Sequence, residues 1–177
     1  MTVKITPTLA ESWLKDIGCT PREVVPRDPA ASFQFESDYP AGTPHRIHTL
    51  SPVATPRALM VVTGVTLSPE HVARFRDLEN QEKADFLQDL TTTLNREFVE
   101  FNFGPTPPMS SLECPSVFQI QATRYDDGLS LDSFARTISS VYKAELAGIA
   151  CVQRHLAPLT SGGPGGQFPF KRLGSLQ

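Results

Sequence analysis

A chain of 177 residues is long enough to bury one ordinary core and too short for two comfortable ones. With 40% hydrophobic and 20% charged residues, its composition is that of a folded protein and excludes a wholly disordered one. A formal net charge of −3 supplies no field that would draw in phosphate backbones, which argues against nucleic acid as a partner.

Thr8-Leu-Ala-Glu11 has the form of a capping box, and Ala10, Trp13, Leu14 and Ile17 recur at helical spacing before Gly18, a natural stop. The spacing predicts a short amphipathic helix. Pro21, Pro26 and Pro29 then predict a crossing loop over residues 19–31. Alternation in Ser32–Glu36, and more weakly in Arg46–Leu50, predicts two half-buried strands joined by turn chemistry at Tyr39-Pro-Ala-Gly42. The β-branched run Arg57–Leu67 predicts a central strand, which completes a meander of three.

Ser68-Pro69-Glu70 combines a cap, a proline at the first helical position and a carboxylate at the positive end of the helix dipole. A central helix follows. Val72, Phe75 and Leu78 mark its first segment, Phe86, Leu87, Leu90 and Leu94 its second, with a break at Asn80. Val99–Phe103 and Ser116–Tyr125 alternate as strands on either side of a Pro-rich loop, residues 104–115. After Asp126-Asp-Gly128, Ser130 or Asp132 caps a long helix carrying Phe134, Ile138, Tyr142, Leu146, Ile149 and Val152.

These elements give an α+β fold of order α-β-β-β-α-β-β-α, with a five-stranded, mostly antiparallel sheet packed by helices. The domain is expected over residues 1–158, followed by a Gly/Pro-rich flexible tail over 159–177. No run reaches the roughly 20 apolar residues of a membrane-spanning helix, and Met1–Pro7 carries no long apolar signal region, so a cytoplasmic protein without membrane insertion is expected.

The order of elements, a strand meander before a central helix and a hairpin after it, resembles that of type III secretion chaperones. More specifically, Ala58–His71, Phe86-Leu-Gln-Asp-Leu90, Val99–Phe103 and Tyr125-Asp-Asp-Gly-Leu129 resemble an uncharacterised prokaryotic family thought to share the secretion-chaperone fold. The likeness spans roughly residues 9–156. It implies a homodimer whose sheet and helix faces hold an unfolded segment of a client protein, which requires exposed apolar patches and strand edges.

Chemistry-bearing residues are few. His45 and His48, three apart on a strand, fall on opposite faces, with no carboxylate at a metal-binding interval. His71 sits in the first turn of a helix beside Glu70, and Asp126 and Asp127 share a turn with Gly128 that predicts solvation of both. Cys19, Cys114 and Cys151 are odd in number and lack Cys-x-x-Cys pairing; Cys151, inside a helix, reads as a small buried hydrophobe. Gly162–Gly166 is glycine-rich but lacks the Gly-Lys-Ser/Thr of a phosphate loop. The expectation is therefore no catalytic, metal or cofactor site.

In the tail, Phe168 and Phe170 bracket Pro169, and Lys171 and Arg172 precede Leu173, a pattern used by docking peptides. Docking on a partner and packing on the chain's own domain are both open. The resulting reading is a non-enzymatic protein-binding or chaperone-like module with a protein partner or client. The alternatives are an accessory subunit of a larger assembly, and a small enzyme drawing on His45, His48, His71, Asp126 and Asp127.

Overall fold

The computed structural model describes residues 3–25, 27–104 and 112–157. Helix α1, Pro7–Asp16, starts two residues before the sequence signal: Thr6, not Thr8, caps it by accepting the Leu9 N–H at 3.2 Å, with Pro7 in the first turn. Gly18, at φ +83°, closes it in the left-handed region that only glycine enters without strain. Strands β1 (Arg22–Glu23), β2 (Ala31–Asp38), β3 (Arg46–Pro52) and β4 (Ala58–Thr66) follow. Helices α2 (Pro69–Asp77) and α3 (Asn80–Asn95) precede strands β5 (Glu100–Gly104) and β6 (Val117–Tyr125), and α4 (Leu131–Leu156) ends the described chain.

The α+β class stands, but the antiparallel sheet has six strands, not five, in the order β1-β2-β3-β4-β6-β5. The extra strand is β1, which lies inside the segment expected to be loop. Its two exposed residues sit between Pro21 and Pro26 and pair with β2, Arg22 opposite Glu36 and Glu23 opposite Phe35. Proline is tolerated in that position because an edge strand leaves half its main chain unpaired. Arg22 also meets Glu36 and Asp38 at 3.3 and 3.4 Å, so this edge is short and charged.

The described residues fall into two compact units. The first lies within Met1–Thr63 and Gln121–Lys143. Its core gathers Leu14, Phe33, Phe35, Ile47, Val61, Phe134, Ile138 and Val141, with the Trp13 and Phe134 rings 5.9 Å apart. The Arg57 carbonyl accepts the Asp126 N–H at 3.0 Å where β4 and β6 pair. Ser130 caps α4, its hydroxyl accepting from Ser133 N–H while Ser133 returns the bond.

The second unit lies within Gly64–Ile120 and Ala144–Gln177. Ser68 and Pro69 open α2 as their sequence predicts, and Phe75, Phe86, Leu87, Leu90, Leu94, Phe118, Ile120, Val152 and Leu156 fill the core. The central helix is two helices. Asn80 opens the second rather than merely interrupting the first, because Glu79 and Glu82 form a capping box there. On α4 the expected stripe drifts off the core: Leu146 is exposed, while Ala144, Gly148 and Cys151 face inward. Steps of four residues rotate steadily around a 3.6-residue helix, whereas the inward face follows mixed steps of three and four.

Candidate functional site

Helices α3 and α4 bring three polar side chains to one carboxylate oxygen. Asp89 lies on α3 between the buried Phe86 and Leu90; Cys151 and His155, four residues apart, share a face of α4. Asp89 Oδ2 accepts from Arg154 at 2.8 Å, from His155 Nε2 at 3.0 Å and from the Cys151 thiol at 3.6 Å. The His155 ring rests against Phe86, centroids 5.6 Å apart. Cys151 is fully buried, while Asp89 and His155 are partly exposed.

The electrostatics follow from that convergence. The His155 bond, ahead of the Arg154 charge, holds Asp89 below the usual carboxylate range. Burial, reinforced by the Asp89 charge, pushes the Cys151 thiol up to about 12. Burial likewise raises Cys19 and Cys114 to about 11. At neutral pH all three are thiols, and a thiol is a poor nucleophile. Nothing in the sequence reading pointed to this cluster: the i,i+4 interval of Cys151 and His155 is the one local signal that could have found it, and Asp89 is remote along the chain.

Of the residues singled out from sequence, His45, His48, His71 and Asp126 each have a separate partner. Tyr142 stacks edge-on against His45 and Tyr39, at 5.2 and 5.4 Å. His48 Nδ1 lies 3.3 Å from Gln34 Nε2, and Glu36, its cross-strand partner, supplies the nearby carboxylate that spacing along one strand could not reveal. Burial lowers the pKa of His48, and also that of His71, whose Nδ1 lies 3.0 Å from Ser68 Oγ. Asp126 is buried, not solvated as its turn suggested. Arg57 grips it with two bonds of 2.8 Å, which lower its pKa. A shallow hollow lined by Ala54, Thr55, Pro56, Arg57, Tyr125 and Asp127 opens beside that pair. Phe168, Phe170, Lys171, Arg172 and Leu173 lie outside the described residues.

At the other end of the sheet from β1 lies β5, with β6 as its one neighbour among the described residues. It carries Phe101 and Phe103 on one face, half-buried with ring centroids 5.5 Å apart, and exposes Glu100 and Asn102 on the other. Just before it, Phe98 is 96% exposed and held at φ +54°, a left-handed conformation that costs a non-glycine residue about 1–2 kcal/mol. Sequence reading predicted the strand and missed this aromatic, because neither exposure nor φ is a local property of Phe98.

Residues 8–152 match a family described as "Uncharacterized conserved protein (DUF2299)". The chain belongs to that family. The crystal structure of an uncharacterized protein from Methanothermobacter thermautotrophicus is similar to this DUF2299 member, with 25% identity and a TM-score of 0.74. The similarity covers 86% of this chain and 100% of the archaeal one. No curated protein matches. Among the described residues, no helix is long and apolar enough to cross a membrane.

Proposed function

We propose that this DUF2299 protein is a non-enzymatic protein-binding module, chaperone-like in its action, that takes up an extended segment of a protein partner along β5. Phe98 carries the reading. A fully exposed aromatic ring on strained backbone lowers stability without any packing return, and such expense persists where it serves a function. It stands at the entry to β5, which has β6 as its one neighbour among the described residues, and strands at a sheet edge are where extended segments bind by strand addition. The two edges differ in kind: β1 is two residues long and charged, β5 longer and aromatic.

The protonated thiols favour the non-enzymatic side of this reading, since none is poised as a nucleophile. The secretion-chaperone likeness in element order, a homodimer and a cytoplasmic setting belong to the same proposal. The tail, with Phe168, Phe170, Lys171, Arg172 and Leu173, is its second point of contact. The test is suppression of aggregation of a reduced, carboxymethylated model protein, with light scattering of the chain alone for the dimer. Wild type should hold the client at micromolar concentration and Phe98→Gly should lose that ability while remaining folded. A wild-type chain that leaves client aggregation unchanged overturns the proposal.

A further inference from the structure

The Asp89 cluster contains more than a hydrogen-bonded staple needs. A carboxylate, an imidazole and a thiol, three donor classes with different preferences, present one ligand atom each, all within 4.8 Å of one another. Cys151 and His155 come from one face of one helix, so their separation is fixed by the helix itself. Asp89 approaches from α3 with its oxygen 3.0 Å from His155 Nε2 and 3.6 Å from Cys151 Sγ.

We propose that Asp89, Cys151 and His155 form a binding site for a divalent transition-metal ion of the zinc class. With zinc–ligand bonds of about 2.0–2.3 Å, neighbouring donors of a tetrahedral site stand about 3.3–3.7 Å apart. The carboxylate–thiol distance of 3.6 Å lies within that range and the carboxylate–imidazole distance of 3.0 Å just below it, so small side-chain movements seat an ion. The mixed sulfur, nitrogen and oxygen set suits zinc and disfavours magnesium or calcium, which take oxygen donors almost exclusively. Partial exposure of Asp89 and His155 supplies the entry route, and the buried sulfur forms the floor. Water fills the fourth position.

Charge balance supports the assignment. Binding releases the Cys151 thiol proton to solvent, as a coordinating thiol requires. A dication with one thiolate, one carboxylate and a neutral imidazole is then neutral overall. Arg154, whose side chain is 62% exposed, shifts from Oδ2 to solvent or to the other carboxylate oxygen without leaving a buried charge behind. The inference goes beyond the protein-binding proposal, and neither depends on the other.

The experiment is a titration of the full chain, freed of metal by chelator dialysis, with zinc in competition with a chromophoric chelator, and with cobalt(II) as a spectroscopic probe. One zinc per chain is expected, along with a thiolate-to-cobalt charge-transfer band in the near ultraviolet. Cys151→Ala should abolish that band and Cys114→Ser should retain it. Asp89→Asn and His155→Gln, at partly exposed positions where folding survives, should each weaken zinc binding by more than about 10-fold. Absence of stoichiometric binding, a band that persists in Cys151→Ala, or unchanged affinity in Asp89→Asn and His155→Gln would overturn the proposal. Client binding by wild type and Phe98→Gly is a separate readout, so the two ideas fail independently.

Discussion

The ring of Phe118 on β6 occupies the space that a side chain at Gly148 on α4 would need. A Cβ built there would lie 2.7 and 2.9 Å from two ring carbons of Phe118. A rigid, fully buried ring cannot yield as a flexible side chain does. Gly148→Ala is therefore expected to lower stability by about 1–3 kcal/mol through overpacking, despite a helix-propensity gain of up to about 1 kcal/mol. Urea unfolding checks it, and Phe118→Leu in the same chain should recover part of the loss.

Thr49 on β3 points its hydroxyl into the core, where Oγ1 has no hydrogen-bond partner among the described residues and the residue is 1% exposed. Valine has the same shape without the polar atom. Thr49→Val is expected to raise stability by about 1 kcal/mol, or the melting temperature by about 2–4 °C, readable by calorimetry. A decrease would mean that the hydroxyl is satisfied.

Local chemistry was legible in the sequence, and long-range pairing was not. Ser68-Pro69 announced α2 because cap and proline act within one turn, and β4 announced itself by β-branched residues. β1 exists only because β2 lies beside it, and two residues between prolines carry no periodicity of their own. The capping-box form at Thr8 drew the start of α1 two residues past its Thr6-Pro7 cap. Asp126 looked solvated because its partner, Arg57, is 69 residues away. The Asp89 cluster was hidden in the same manner, since its members come from two helices.

His48 gives the fold a pH dependence. Burial, the largest influence, lowers its pKa below the ordinary 6.5; Glu36 on β2 opposes that shift, and Arg46 on β3 adds to it. Gln34 on β2 and Val62 on β4 are its remaining neighbours across the strands. The folded state thus binds the proton less readily than the unfolded chain, and by linkage stability rises with pH across that interval. His71, lowered by its own burial, acts in the same direction. The contribution is complete above about pH 6.5 and is lost as the pH falls through that value toward the folded pKa. Urea midpoints measured from pH 7.5 to 5 should decline, and His48→Gln should flatten part of the decline. An unchanged slope in that variant would remove His48 as a source.

Phe98 should behave in stability as glycine's competitor at a position built for glycine. Its φ of +54° brings its Cβ into the crowding that makes the left-handed region unfavourable, and with 96% of the residue exposed there is no burial to lose on truncation. Phe98→Gly removes that strain, worth about 1–2 kcal/mol, against about 0.4–1 kcal/mol of added chain entropy in the unfolded state. A net gain of about 1 kcal/mol is expected. Phe98→Ala keeps the Cβ and so should gain little, which separates strain from the mere exposure of an aromatic ring. If alanine stabilises as much as glycine, the backbone is not strained at this residue and the stability argument for its function falls. If glycine alone stabilises while client binding is lost, the strain at the mouth of β5 is the stability given up for partner recognition.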